Sequence, residues 1–198
     1  MTDLPLPSVL SAAAPITAWT LTLLLAIASL CCIIATLRRP RRPLVYTGAG
    51  LLALAFLALT LPPYEAPNGY RALIGIVALA LSVVGGGPAA QLVLALGTRP
   101  APLGANGGIV VHDRVSGPES TREVLRGGTI IGLLERFAAT GAIMAGFPEA
   151  LAVLIAIKGV GRFTELETPE TRERFLIGTL VSLVWACVCA GLFRFTAG

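Results

Sequence analysis

Residues 129–147 read TIIGLLERFAATGAIMAGF, and residues 148–163 read PEALAVLIAIKGVGRF. Both runs are apolar at nearly every position, yet the first carries Glu135 and Arg136 and the second Lys158 and Arg162. In a bilayer such charges are expensive, so the reading of these two runs decides both the fold and the most informative part of the chain.

Composition decides it. The chain has 198 residues, of which 55% are hydrophobic and 13% charged; soluble domains carry roughly a quarter charged residues. Apolar stretches at 16–37, 43–61, 72–97, 129–147, 148–163 and 175–193 approach or exceed the ~20 residues that cross hydrocarbon. The sequence therefore predicts an all-α polytopic membrane helical bundle of about six transmembrane helices. It forms a single membrane domain over 1–198, with no separate soluble domain.

Between these runs, punctuation sets the expected boundaries. Residues 1–15, with Pro5, Pro7 and Pro15, read as irregular. Pro62 and Pro63 are expected to stop the second span, and Tyr64, Glu65, Asn68, Gly69 and Tyr70 to form a turn-rich exposed loop. Gly85-Gly86-Gly87-Pro88 is expected to interrupt the third span. The hydrophilic segment 99–128 suits a cytoplasmic loop, with 109–115 (IVVHDRV) extended and Glu119, Arg122, Glu123 and Arg126 forming an amphipathic lead-in to span four. An acidic linker with Glu165, Glu167 and Glu170 precedes span six.

Basic residues orient the bundle. Arg38, Arg39, Arg41 and Arg42 cluster at the end of span one, and placing them inside puts 99–128 and 164–174 inside too. All Lys and Arg except Arg71 and Arg194 then face the cytoplasm, as the positive-inside rule requires. Both termini are then extracytoplasmic, in a multi-pass protein of the plasma (cytoplasmic) membrane. Trp19, Tyr64, Tyr70 and Phe193 fall near the outer interface. The N-terminus has Asp3 in place of a basic region and too long an apolar run for a signal peptide, so span one is expected to stay as an anchor. The same placement of charge at span ends, without interleaved aromatics, argues against nucleic acid as a partner. Cys31–Cys32 and Cys187/Cys189 fall toward opposite faces, too far apart for a disulfide.

The charged runs fold most simply as two antiparallel helices joined at Gly146-Phe147-Pro148. Glu135 precedes Pro148 by thirteen residues and Lys158 follows it by ten, which at helical rise is roughly 20 Å and 15 Å from the turn. A lysine stem spans the difference. Lys158 and Arg162, four apart, share a helix face. Each central charge costs about 2.5 to 3.5 kcal/mol on the insertion scale, while each large apolar residue returns about 0.3 to 0.6. Span four is therefore unfavourable in isolation and must pair its charges or border a hydrated cavity. Two readings lead, beside a third in which residues 129–138 lie along the membrane interface. Glu135 neutralises Lys158 while Arg136 and Arg162 snorkel to the inner headgroups, or the charges form a site for an ion, an anionic headgroup or a solute. On span six, Gly178 and Ser182 form a small-xxx-small pair suited to helix packing.

Residues 126–190 resemble a group of small bacterial integral membrane proteins of unknown function, through RGGTIIGLLERF (126–137), AIKGVGRF (156–163) and ERFLIGTLVSLVWA (173–186). The resemblance carries no activity with it. It implies that Glu135, Arg136, Lys158, Arg162, Glu173, Arg174, Gly178, Thr179 and Ser182 belong to one unit in the inner half of the last three spans. A charge network joining the three helices is expected there.

No Gly-x-Ser-x-Gly elbow, HExxH, P-loop or Gly-x-Gly-x-x-Gly occurs, and no catalytic residue is assigned. His112 beside Asp113 lacks the further ligands of a metal site, and no cofactor is expected. The sequence favours a non-enzymatic bundle whose candidate polar network is Glu135, Arg136, Lys158, Arg162, Glu173 and Arg174. Its partners are the lipid bilayer, an anionic lipid or small solute, a protein partner or a second copy, and a transporter or channel component is a variant of this reading. The alternative is a membrane-embedded enzyme on a phosphate-bearing or lipid substrate, with Arg136, Lys158 and Arg162 holding the anion and Glu135 as acid or base.

Overall fold

The computed structural model describes residues 6–61, 66–97, 109–112, 121–124, 128–162 and 168–197, with side chains over 16–61, 66–97, 128–162 and 168–196. Expectations for Asp3, Pro62, Pro63, Tyr64, Glu65, Asp113, Glu119, Arg126, Glu165 and Glu167, and for the His112 side chain, lie outside the described residues. Six α-helices and one β-hairpin make up the described chain. They run α1 (Leu6–Arg38), α2 (Arg42–Ala58), α3 (Asn68–Gly97), β1 (Ile109–His112), β2 (Thr121–Val124), α4 (Gly128–Met144), α5 (Ala150–Gly161) and α6 (Pro169–Arg194), ending in a 3-10 turn at Phe195–Ala197.

Three of the helices are long and apolar enough to cross a membrane: Ile16–Arg38 within α1, all of α3, and α6. Leu24, Leu37, Ile76, Leu96, Leu180 and Val184 on these helices are more than half exposed. Surface of that kind is a liability in water and a match for lipid tails. The described chain is predominantly helical, and by length and composition three of its helices suit a membrane.

Several boundaries differ from expectation, each for a local reason. α1 starts at Leu6 rather than Ile16, because Pro7 occupies its first turn, where a missing N–H is harmless, and Ala12-Ala13-Ala14 favours helix. α2 ends at Ala58 instead of Leu61, with the Thr60 hydroxyl donating to the Leu57 carbonyl at 2.7 Å, a side-chain bond that competes with the helical ladder. Asn68, Gly69 and Tyr70 form the first turn of α3 rather than a loop. The expected interruption at Gly85–Pro88 does not occur: α3 runs through it with Pro88 inside, as apolar membrane helices allow. Pro169 opens α6 six residues before the expected start. Thr168 caps it, its hydroxyl accepting the Thr171 N–H at 3.2 Å, and Glu170 sits in the first turn against the helix dipole.

The hydrophilic segment holds a second correction. Ile109–His112 is extended, as expected, but Thr121–Val124 pairs antiparallel with it, Ile109 opposite Val124 and His112 opposite Thr121. Arg122 and Glu123 therefore belong to a strand and not to a helical lead-in. The β-branched Thr121 and Val124 favour the strand.

Two compact units divide the chain: residues 1–85 with 188–198, and residues 86–187. In the first, α1 packs along α2. The Ser29 hydroxyl donates to the Gly48 carbonyl at 2.7 Å, and Gly48 lies so close to Ile33 that a Cβ would stand 3.0 Å from its Cδ1. Tyr70 shares a 2.8 Å hydrogen bond with Thr20, Phe193 covers Gly75, and Arg71 stacks 5.5 Å over the Phe193 ring. Trp19, expected at the interface, is 2% exposed and packed inside. All four cysteines are free thiols.

In the second unit, α4 and α5 meet at a glycine-stopped turn. The Phe147 N–H reaches back to the Ala142 carbonyl at 2.8 Å and the Gly146 N–H to Ile143 at 3.1 Å, with Gly146 at φ 87°. This is the Schellman arrangement, in which a left-handed residue satisfies the last carbonyls of a helix. A Cβ on Gly146 would meet nothing within 4 Å, so only backbone strain opposes a side chain there. Gly146→Ala is expected to lower stability by about 1 kcal/mol, read as a reduced melting temperature in lipid discs; an unchanged melt would show that the turn does not hold the hairpin. The helices it joins are shorter than the expected spans 129–147 and 148–163, with 17 residues in α4 and 12 in α5.

Candidate functional site

α4 presents its two charges in different directions. The Lys158 ammonium of α5 donates to the Glu135 carboxylate, and the two side chains are only 20% and 18% exposed. Lys158 also lies 5.8 Å from the centroid of the Phe175 ring on α6, within reach of the ring quadrupole. The depth match counted from the turn is thus present as a contact.

Arg136 does the opposite of snorkelling. It is 6% exposed, and its Nη1 donates to the Ser182 hydroxyl of α6 at 3.1 Å. Its stem runs across Gly86 of α3, where a Cβ would overlap the arginine Cδ. Gly132, one turn earlier on α4, clears the head: a Cβ there would stand 3.2 Å from Nη1. Ser182 is the middle residue of α6, thirteen after Pro169 and twelve before Arg194. The guanidinium therefore sits at about half the length of a membrane-length helix, deeper than an inner-headgroup position. The physical reason is space: glycines on two helices open a slot that an arginine stem fills, with a hydroxyl acceptor at its end.

The rest of the expected network is only partly assembled. Arg174 is buried, but its partner is Glu170 one turn back, with Nε at 3.3 Å and Nη2 at 3.1 Å from one carboxylate oxygen. Glu173 is exposed. Arg162 forms the C-cap of α5, half-buried, with its backbone N–H on the Val160 carbonyl. Among the described residues, links between these helices include Glu135–Lys158 between α4 and α5, Arg136–Ser182 between α4 and α6, and Lys158 over Phe175 between α5 and α6. Ser182, expected to pack helices, instead accepts the arginine. Gly178, its small-xxx-small partner, has only ordinary contact, with Leu94 3.8 Å from where a Cβ would sit.

Between Glu135, Arg136, Ile155, Lys158, Thr179 and Ser182 lies a cleft of about 10 Å³. That is the space of about one water molecule. Among the described residues no group of three His, Cys, Asp or Glu side chains gathers to hold a metal ion. Sequence reasoning missed Gly86 and Gly132 as members of the site. Their signal was present, because a charge inside an apolar run needs room, and glycines in neighbouring runs supply it.

Compared with protein-family models, curated proteins and solved structures, the chain matches none of them.

Proposed function

We propose that this protein is a non-enzymatic, multi-pass membrane scaffold whose hairpin charges hold its helices together and present a bilayer-embedded surface to a protein partner or a second copy. One observation carries the reading. The acid and base of the hairpin meet each other, Arg136 is enclosed by glycines and Ser182, and the cleft among them holds about one water. An enzyme or a transporter needs such charges on a reachable cavity.

The topology that fits is six crossings of the cytoplasmic membrane with both termini outside. The short α5 reaches both faces through its flanking turns and Arg162. Local bilayer thinning accommodates it, since its 12 residues cover about 18 Å of a ~30 Å hydrocarbon layer. The basic residues other than Arg71 and Arg194 then lie inside, and the β-hairpin is cytoplasmic.

Solvent access tests the proposal. In a chain with its four natural cysteines replaced by alanine, Thr179→Cys should resist a charged, membrane-impermeant thiol reagent from either side. A cysteine placed in the Arg39–Arg41 loop should react from one side and so serve as the positive control. Rapid labelling of the Thr179 position would establish an aqueous path and overturn the scaffold reading in favour of a transporter or an enzyme.

A further inference from the structure

Four arginines, Arg38, Arg39, Arg41 and Arg42, occupy the connection between α1 and α2, and all four are exposed. No Asp or Glu occurs between Asp3 and Glu65, so neither helix carries a carboxylate that could neutralise them. Elsewhere in the described chain Lys158 meets Glu135 and Arg174 meets Glu170. Orientation alone does not require an acid-free cluster, because acidic residues contribute little to the positive-inside rule. Four guanidiniums within five residues repel one another, and an anion between them relieves that repulsion.

The base beneath the loop is rigid. The Ser29–Gly48 hydrogen bond and the close fit of Gly48 on Ile33 lock α1 to α2. Only three residues, 39–41, lie between the helices, and Pro40 and Pro43 restrict their backbone. The cations are thus gathered before any ligand arrives, which lowers the ordering cost of binding. Arg41, the N-cap of α2, is exposed. The first turn of α2 holds no acid, so the positive end of the helix dipole adds to the field.

We infer that the Arg38–Arg42 loop is a binding site for the phosphodiester of an anionic phospholipid, held by bidentate guanidinium contacts at the membrane surface. The membrane supplies the source. The loop lies at the end of an apolar helix long enough to span, at the level where lipid phosphates are concentrated, and guanidinium geometry matches phosphate better than ammonium does. This site is separate from the hairpin cluster and stands whether or not the scaffold reading holds.

The test is native mass spectrometry of the full chain released from vesicles containing equal phosphatidylglycerol and phosphatidylcholine. The wild-type chain should retain phosphatidylglycerol at least tenfold over phosphatidylcholine. Arg39→Gln with Arg41→Gln should bring that preference close to parity at saturation-free lipid levels, each basic residue near an anionic surface being worth roughly fivefold. Replacing all four by lysine keeps the charge, and with it the topology and folding. That variant should still lose preference several-fold, because an ammonium cannot make the paired contacts. Inorganic phosphate at matched ionic strength should not displace the lipid. Equal retention of the two lipids by the wild type, a lysine variant indistinguishable from it, or displacement by inorganic phosphate would each overturn the inference.

Discussion

Gly86→Leu is expected to destabilise the protein by about 3 kcal/mol and to deplete it from the membrane fraction. The position faces an enclosed charge. Even a methyl group there would overlap the Arg136 Cδ and stand 3.0 Å from its Nε and 3.2 Å from the Ser182 hydroxyl. A leucine must therefore expel the arginine stem, parting Nη1 from Ser182 and leaving a cation in apolar surroundings. Gly86→Ala forces the same movement on a smaller scale, at about 1 to 2 kcal/mol. Ser182→Ala removes only the acceptor and should cost about 1 kcal/mol. The decisive variant joins Gly86→Leu to Arg136→Ala, in which the leucine fills the vacated slot and about half of the loss returns. Denaturant melts in lipid discs would read all four, and a Gly86→Leu protein as stable as wild type would refute the packing of Arg136 on α3.

Glu135→Gln is expected to cost about 2 kcal/mol, less than the 3 to 5 of a fully buried pair because both side chains retain some exposure. It removes the carboxylate charge facing the Lys158 ammonium and leaves an amide oxygen and the Phe175 ring beside it. Lys158→Gln on its own strands the carboxylate and should cost a similar amount. With both substitutions the two amides can hydrogen-bond each other, so the double variant should lose less than either single one. Protein accumulation in membranes and thermal melts both report this cycle. Independent, additive losses would mean that the two groups do not act as a pair.

The two outcomes rest on contacts that differed in how far they were legible beforehand. The Glu135–Lys158 contact follows from counting helical rise either side of Gly146-Phe147-Pro148, because the turn and both charges lie in one local stretch. Arg136 was not legible in the same way: its environment is made by Gly86 on α3 and Ser182 on α6, far away in sequence. The glycine run at 85–88 was visible as an anomaly but invited the wrong explanation, since a helix break and a slot for another side chain use the same residues. Apolar runs identified the membrane-length helices, while their ends were misjudged where polar residues do structural work. Thr-Pro-Glu-Thr at 168–171 looks like linker and acts as a cap. Arg122 and Glu123 illustrate the limit for short polar segments, in which one charge pattern suits a helix or a strand until a partner strand is known.

Arg136 also places a fixed positive charge about halfway along α6. With α6 crossing an energised membrane, that charge stands within the transmembrane voltage. An elementary charge moved across the full potential exchanges about 2.3 kcal/mol per 100 mV, so one held near the middle feels roughly half of it. A membrane voltage therefore exerts a steady force on the guanidinium. The glycine slot and the serine hydroxyl thus hold Arg136 against a steady electrical load, which lightens whenever the membrane depolarises.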